Sequence, residues 1–344
     1  MSASQPETAA DPGPGGILGI AIGHWQTTIL QTAMADDLFT RLSGTSAAVP
    51  ELADRLGYRL PGARAFLLAL VSLGLLDAER GELRNSPTAE RYLVRGKPQF
   101  IGGYLEFCAR ELNPAWSGLA AALRTGEPQN PAARNGNPYD TLYQDESATE
   151  AFLDSMDMFN TPIALRLDSL DWSRYQTVVD VGGARGNLAH HLVVGNPHLT
   201  ATVFDLPALE PAFSRHMARL GDAGAISFLG GDFFTDPLPA ADAVVFGHIL
   251  HNWDEPQRMK LLQNAYQAVR AGGAVIVYDP MVNGDHPPLN AVLAGLSMLV
   301  WSAGGHEYSV EECHGWLAKA GFRPETVGAA DAPDDVVVIG HKDH

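Results

Sequence analysis

Residues 244–281 read VVFGHILHNWDEPQRMKLLQNAYQAVRAGGAVIVYDPM, and this stretch decides the fold. Residues 243–250 form a short apolar run with enough β-branched and aromatic residues to predict a buried strand. Apolar side chains recur at helical spacing over residues 259–269, and Gly272 and Gly273 are expected to end that helix. Residues 274–278 predict a second apolar strand. The stretch therefore predicts a strand–helix–strand unit of a parallel sheet.

Two histidines and an acid follow the ends of these strands. His248 and His251 come at the end of the first strand, and Asp279 comes directly after the second. Because ligands bind beyond the carboxyl ends of parallel strands, we expect the three side chains at a binding edge. A histidine there can act as a base near neutral pH, and an adjacent carboxylate can orient its ring.

The motif HILHNWDE, followed by a helix, two glycines and an apolar strand, resembles the S-adenosylmethionine-dependent O-methyltransferases of the caffeate and hydroxyindole type. The resemblance implies that His251 is the general base that deprotonates a phenol. It also implies that Asp279 and Glu307, the latter in the segment GGHE, are the two supporting carboxylates. This family usually has aspartate directly after the base, where this chain has Asn252, a departure that bears on the local hydrogen bonding and not on the family.

A glycine-rich turn between a strand and a helix predicts the cofactor loop. Residues 178–186 read VVDVGGARG, and glycines there let the backbone approach a ligand closely. The turn is not the G-x-G-x-x-G fingerprint of dinucleotide-binding proteins. It resembles the methyltransferase motif D-x-G-G-G-x-G, with Ala184 at the third glycine, a replacement that suits a negative φ. The resemblance implies binding of S-adenosylmethionine, with S-adenosylhomocysteine as product, by Asp180, Gly182, Gly183 and Gly186.

Acids close the next two strands as well. Asp205, followed by Leu206, ends the second strand, where a carboxylate can accept hydrogen bonds from both ribose hydroxyls. The third strand ends at Asp232 and Phe233; the resemblance implies that they contact the adenine amino group and the adenine ring. Trp253 is a further candidate near the adenine, although a structural tryptophan explains it equally well. His248 is expected to contact the cofactor or the acceptor rather than to share the role of base.

Residues 175–344 alternate between strands and helices, which predicts a Rossmann-like, doubly wound α/β sheet. The last two apolar strands, PETVG and DVVVIGHK, are close in sequence and are expected to form a hairpin that adds an antiparallel strand. That ending is typical of methyltransferases. We therefore expect residues 175–344 to be the S-adenosylmethionine-binding catalytic domain.

Residues 17–105 read as helices followed by a hairpin, the outline of a winged helix. DNA binding is disfavoured because the candidate recognition helix has only Arg64 for a phosphate and the formal net charge is −17. A dimerisation module is favoured, and the resemblance implies the same, with residues 18–39 as the swapped helices of a homodimer. Residues 1–16 are expected to be a disordered tail.

Residues 106–174 are expected to be a helical linker that covers the cleft, as the resemblance implies. Within it, residues 127–140 predict a polar loop and residues 147–170 a long amphipathic helix. Ordinary core packing explains each candidate for the acceptor pocket at least as well. The candidates are Phe107, Trp116, Met156, Phe159, Asn160, Met298 and His306.

The composition bears on the cell compartment and on the partners of the protein. Two cysteines cannot form a disulfide framework, and the N-terminal residues lack a secretory signature, which favours the cytoplasm. No apolar run has the length to span a membrane, so no membrane is expected as partner, and the formal net charge of −17 argues against a nucleic acid.

Three functions are open at this level. The first is methyl transfer to a phenolic hydroxyl of a small aromatic acceptor in secondary metabolism, such as antibiotic biosynthesis. The phenol has a pKa near 10, and a general base is worth about 10²- to 10⁴-fold in rate. The second is metal-assisted methylation of a 2-oxo acid at carbon, with His248, His251, Asp279 and His306 as ligands. The third is a non-catalytic S-adenosylmethionine-binding regulator, which the intact set of histidine and carboxylates disfavours.

Overall fold

The computed structural model describes residues 11–97, 99–136, 138–221, 224–328 and 335–344. The chain divides after Arg110 into two compact units. Residues 1–10 of the predicted tail lie outside the described residues, whereas residues 13–16, also predicted as tail, belong to the first helix. Pro14 lies in the first helical turn, where its missing N–H has no intrahelical partner to lose.

The N-terminal unit combines helices with a small antiparallel sheet of order β1-β3-β2. Its helices are α1 (Gly13–Ala35), α2 (Leu38–Leu42), α3 (Val49–Leu56), α4 (Gly62–Ser72), α5 (Pro87–Tyr92) and α6 (Gly102–Phe107). Its strands are β1 (Ala47–Ala48), β2 (Leu76–Glu79) and β3 (Glu82–Asn85). The predicted hairpin forms, and Arg80 and Gly81 both have positive φ, as a two-residue primed turn requires. Buried leucines and Phe39 pack these elements together.

The C-terminal unit is a seven-stranded sheet flanked by helices. Its strands are β4 (Thr177–Val181), β5 (Thr200–Asp205), β6 (Ile226–Gly230), β7 (Ala241–Gly247), β8 (Val269–Asp279), β9 (Arg323–Val327) and β10 (Val336–His341). Its helices are α7 (Asn113–Trp116), α8 (Leu119–Thr125), α9 (Pro131–Asn135), α10 (Pro138–Leu142), α11 (Glu146–Asp168), α12 (Asn187–Gly195), α13 (Glu210–Leu220), α14 (Glu255–Ala268), α15 (Leu289–Trp301) and α16 (Val310–Ala320).

The strand order is β6-β5-β4-β7-β8-β10-β9, parallel from β6 to β8 and antiparallel on both sides of β10. The predicted α/β sheet with a C-terminal antiparallel hairpin is therefore confirmed. Successive residues of the buried strands point to opposite faces, so Val244 packs in one hydrophobic core and Val245 in the other. Covering both faces with helices explains why these strands read as continuous apolar runs.

The prediction that Gly272 and Gly273 end the central helix is wrong. Helix α14 stops at Ala268, and β8 begins at once, so that Gly272 and Gly273 lie inside the strand. The pairing of β7 with β8 shifts register there, Gly272 has a φ of 77°, and a Cβ on Gly273 would overlap the carbonyl of Asp242. The glycines thus form an irregularity within the sheet rather than a helix cap.

Two further differences concern helices. The predicted loop at residues 127–140 contains α9 and the start of α10, because Pro131 and Pro138 stand at first helical positions and Asn130 caps α9. Helices α15 and α16 are absent from the sequence-based interpretation. None of the helices in the described ranges has an apolar stretch long enough to cross a membrane.

Candidate active site

A cavity of about 650 Å³ lies at the carboxyl ends of the parallel strands in the C-terminal unit. Its wall includes residues after β4, β5, β6 and β7, together with part of α11. The predicted cofactor residues in this wall are Asp180, Gly182, Gly183, Asp205, Leu206, Asp232, Phe233, His248 and Trp253. The strand ends therefore meet at one edge, as parallel topology requires.

The glycine-rich turn leaves β4 in a backbone conformation that side chains rarely adopt. Gly182 and Gly186 have φ values of 71° and 83°, and a Cβ on Gly183 would overlap the carboxylate of Asp180. Ala184 also has a positive φ, 51°, which corrects the expectation of a negative value. Its backbone N–H donates to Oδ2 of Asp205 at 2.8 Å, and this bond holds the strained residue in place.

Two buried acids face the empty space beside this turn. Oδ2 of Asp180 has no hydrogen-bond partner in the described chain, and burial raises the pKa of this group to about 7. Asp205 accepts hydrogen bonds from the backbone N–H groups of Leu206 and Ala184, but burial still raises its pKa to about 6. An unpaired buried carboxylate oxygen is costly unless a ligand supplies donors, which marks this part of the cavity as a binding site.

Aromatic rings surround the third acid. Oδ1 of Asp232 accepts from the N–H of Phe234 at 2.9 Å. The rings of Phe233 and Phe234 pack edge-on against Trp253, with centroids 5.9 and 4.7 Å away. Nε1 of Trp253 is buried without a partner in the described chain. This corner offers one acceptor, one donor and apolar faces, which suits a flat heterocycle.

His251 lies in a short 3-10 turn, Leu250–Asn252, directly after β7. Its Nδ1 is 2.7 Å from Oε1 of Glu307 and 3.7 Å from Oδ1 of Asp279. Its Nε2 makes no hydrogen bond within the described chain. Tyr308 donates its hydroxyl to Oδ2 of Asp279, and all four side chains are buried. The structure therefore brings together the three predicted catalytic residues.

The charges around His251 favour its protonated form. Burial alone lowers the pKa of an imidazole, but the carboxylates of Glu307 and Asp279 outweigh burial and raise the pKa of His251 to about 9. Burial also raises the pKa of Asp279 to about 6, in spite of the histidine beside it. Such an imidazole is a strong proton acceptor whose charged form is stabilised by its surroundings.

His248 has a strained backbone that three interactions hold. Its φ is 52°, its N–H donates to the carbonyl of Tyr278, and its own carbonyl accepts from the Asn252 amide. Its Nε2 pairs with Oδ1 of Asp335 at 2.9 Å. Burial lowers the pKa of His248, but Asp335 outweighs it and the pKa rises above its ordinary value. Sequence reasoning missed Asp335, because 87 residues separate the two partners and only the fold joins them.

Asn252 uses both ends of its amide. Nδ2 donates to the carbonyl of His248 at 2.8 Å, and Oδ1 accepts from the hydroxyl of Tyr139 at 3.1 Å. An ionised aspartate at this position has no donor for the His248 carbonyl. The departure from the family motif thus has a specific hydrogen-bonding consequence.

An O-methyltransferase domain model matches residues 116–323. The chain belongs to the O-methyltransferase family. It is 45% identical to the tetracenomycin polyketide synthesis 8-O-methyl transferase TcmO of Streptomyces glaucescens, over 96% of this chain and 97% of that protein. It is 39% identical to the N,N-dimethyltransferase OxyT of Streptomyces rimosus, over 89% and 90%. Human N-acetylserotonin methyltransferase in complex with S-adenosylmethionine superimposes with a TM-score of 0.84 and 26% identity, over 98% and 100%.

The family and the cofactor predicted from the sequence are confirmed, and this O-methyltransferase uses S-adenosylmethionine. The residues present fit that cofactor. The turn after β4 keeps its backbone open to the cavity, and the buried oxygen of Asp180 lacks a donor that a ligand can supply. Asp205 retains lone pairs for hydroxyl groups beyond its two backbone donors. The individual contacts to the cofactor remain predictions.

The predicted acceptor residues separate into two groups. Met156 and Asn160, both on α11, lie in the cavity wall of this O-methyltransferase, and Asn160 accepts from the hydroxyl of Tyr278 at 2.8 Å. The others lie outside the wall as described. Phe107 is buried in the N-terminal unit, Trp116 donates to Ser297, Phe159 is 40% exposed, Met298 is half-buried on α15, and His306 contacts Arg258. Their roles as acceptor contacts stay predictions without support from the cavity.

In the described ranges, no three His, Cys, Asp or Glu side chains lie close enough together to bind one metal ion, so the alternative of a metal-assisted reaction has no ligand set there. His306 is directed to Arg258 and to the carbonyl of Gly304.

Sequence reasoning also missed Tyr139, Tyr143 and Phe152, which line the cavity from α10, its C-terminal flank and α11. The clustering of these aromatic residues on both sides of the turn before α11 is the sequence signal that could have identified them as cavity residues.

Proposed function

We propose that this O-methyltransferase transfers the methyl group of S-adenosylmethionine to a phenolic hydroxyl of an aromatic polyketide in antibiotic biosynthesis, with His251 as general base. The observation that supports the chemistry is the buried contact between Nδ1 of His251 and Glu307, which leaves Nε2 without a partner among the described residues. The acceptor class follows from the identity to TcmO, whose name specifies 8-O-methylation in polyketide synthesis.

When bound, the cofactor supplies a methyl group on a positively charged sulfur. The chain then has three tasks. The acids at the carboxyl ends of β4 and β5 and the aromatic corner at Trp253 hold the cofactor, and the cavity walls exclude water. Nε2 of His251 removes the phenol proton, a step worth about 10²- to 10⁴-fold in rate. Glu307 and Asp279 orient the ring and stabilise the imidazolium that forms.

The N-terminal unit is proposed to be a winged-helix-like dimerisation module. Large apolar side chains of α1 are exposed in the single chain, among them Leu18 at 65%, Ile20 at 77% and Trp25 at 66%. Such a row of exposed apolar residues marks an interaction surface, and a homodimer would bury it. Sedimentation would show a dimer in solution, and a monomer would remove this part of the proposal. We also propose that the enzyme acts in the cytoplasm.

The decisive experiment measures transfer of a labelled methyl group to phenols, aromatic amines and 2-oxo acids, each with and without a strong chelator. Labelling of phenols that is insensitive to chelator, and that is lost in His251→Ala while S-adenosylhomocysteine still binds, is the expected result. Labelling of 2-oxo acids that requires metal would favour carbon methylation instead. Cofactor binding without transfer to any acceptor would favour the regulator hypothesis.

A further inference from the structure

Arg258, the fourth residue of α14, is a completely buried cation beside the candidate catalytic pair. Its exposed fraction is 0%. In the part of the chain that the structure describes, no carboxylate lies within ion-pair distance of it. Its guanidinium sits instead over the rings of Tyr308 and Trp316, 4.7 and 4.9 Å from their centroids. Burying an arginine without a direct counter-ion is costly, so its hydrogen bonds and ring contacts must offset that cost.

The hydrogen bonds of Arg258 join the two chain segments that carry the pair. Nε donates to the carbonyl of Leu250 at 2.8 Å, and Nη2 donates to the carbonyl of His306. Leu250 directly precedes His251, and His306 directly precedes Glu307. The backbone N–H of His306 also donates to the carbonyl of His251 at 2.9 Å. One planar group therefore fixes the separation of the segments from which both side chains project.

The charge of Arg258 complements the buried acids around His251. Asp279 and Glu307 both act on the guanidinium through space, and Tyr308 connects the two sites because its ring lies under Arg258 and its hydroxyl bonds to Asp279. His251 is faced by Glu307, Asp279 and Asp335 and by the imidazole of His248. A fixed positive charge beside these groups stabilises the carboxylates and by repulsion opposes a second positive charge on His251, where the two carboxylates still outweigh it.

We propose that Arg258 is a positioning residue for methyl transfer, which sets the geometry of the His251–Glu307 pair and whose charge opposes protonation of His251. This proposal rests on the proposed function of His251. It requires arginine in particular, because a guanidinium reaches two carbonyls at once through donors in a fixed plane. Lysine would keep the charge and lose the double contact, whereas methionine would fill the volume and lose both.

The test compares the full-length enzyme with Arg258→Lys and Arg258→Met, and uses Arg270→Met as control. Arg270 is half-exposed at the opposite end of β8, where it pairs with Asp242. For each variant, kcat, KM for a phenol that the wild type methylates, the affinity for S-adenosylhomocysteine and the pH dependence of kcat/KM would be measured.

We expect kcat to fall about 10- to 100-fold in both Arg258 variants, by analogy with the loss of groups that orient metal-bound histidines, with cofactor affinity unchanged. The rising limb of the pH profile should keep its position in Arg258→Lys and move to higher pH in Arg258→Met. Wild-type kcat in a folded Arg258→Lys would overturn the positioning role, and this variant decides the question if Arg258→Met does not fold. Full activity in His251→Ala would instead overturn the base assignment itself, on which this proposal depends.

Discussion

Nδ1 of His251 lies 2.7 Å from Oε1 of Glu307, and this contact determines which nitrogen of the ring can accept a proton. A carboxylate only accepts hydrogen bonds, so Nδ1 carries the hydrogen and Nε2 carries the lone pair. The second acid, Asp279, lies 3.7 Å from the same Nδ1 and supports the charged ring through space. The pair therefore defines one tautomer, and that tautomer places the basic nitrogen away from the carboxylates.

Replacing Glu307 with glutamine should remove most of the activity. The amide can still accept from Nδ1, but it carries no charge to stabilise the imidazolium, and it can flip to present a donor. We expect kcat to fall about 10²- to 10⁴-fold, with little change in affinity for S-adenosylhomocysteine. Glu325→Gln is the matched control, because Glu325 pairs with His341 at the exposed end of the sheet. Equal activity in the two variants would contradict the role of Glu307.

The activity should rise with pH up to about 9. The base must be neutral to accept a proton, and the pKa of His251 is raised to about 9, so kcat/KM should fall about tenfold for each pH unit below that value. The raised pKa of His251 has the opposite effect on the stability of the fold, which should decrease as pH rises. The charged ring stabilises the fold fully below its ordinary pKa of about 6.5, and this contribution is lost as pH rises through about 9. A pH profile that is already flat at neutral pH would contradict the assignment.

Cofactor affinity should weaken in acid. In the absence of ligand, burial raises the pKa values of Asp180 and Asp205 to about 7 and 6, and a protonated acid accepts fewer hydrogen bonds from hydroxyl or ammonium groups. Titration calorimetry with S-adenosylhomocysteine should show affinity falling as pH drops below about 7, and more steeply below about 6. Asp180→Asn should flatten the first part of this dependence. Asp171→Asn, at an exposed turn, should leave it unchanged.

Replacing Asn252 with aspartate should destabilise the protein by about 1–3 kcal/mol, because the carboxylate would face the carbonyl of His248 without a donor between them. Denaturant unfolding at neutral pH measures this loss, and part of it should return in acid, where the aspartate regains a proton. Asn187→Asp is the control, since its partner is the hydroxyl of Thr161, which can turn from the carbonyl of Asp157 and donate to the new carboxylate. A loss as large in the control would show that hydrogen-bond polarity is not the cause.

The strand ends could be predicted because their signal is local. An apolar run followed by an acid marks the end of a parallel strand, and Asp180, Asp205 and Asp279 all meet at one edge of the sheet. The position of His251 between Asp279 and Glu307 followed from the motif and its family resemblance. These residues lie on segments whose order in the sheet is constrained by the right-handed connections of α/β folds.

The misses come from contacts that only the tertiary structure creates. The pair Gly272 and Gly273 reads as a helix end, but the close approach of Asp242 from the neighbouring strand makes it part of β8. Ala184 adopts a positive φ because a carboxylate from the next strand holds its N–H. Arg258 reads as an ordinary polar residue of an amphipathic helix, and its burial between Tyr308 and Trp316 depends on a segment about 50 residues away in sequence.

Arg185 should contribute far more to the free energy of unfolding than Arg215, which contacts the same helix, α11. Its side chain, in the cofactor turn, is 5% exposed and binds three carboxylates of α11, namely Glu150, Asp154 and Asp157. Arg185→Met would leave Asp157 buried without its cation, and burial already raises the pKa of that acid against the effect of Arg185. We expect a loss of about 3–5 kcal/mol at neutral pH, measured by denaturant unfolding.

Arg215→Met is the matched control for Arg185→Met. Arg215 contacts Glu146 and Glu150 on the same helix, but its side chain is 51% exposed, so its removal should leave the unfolding midpoint nearly unchanged. Because Asp157 lines the cavity from α11 and Arg185 follows Ala184, saturating S-adenosylhomocysteine should stabilise Arg185→Met less than the wild type, so that the loss grows when the ligand is present. Equal losses in the two variants would mean that burial does not distinguish these ion pairs.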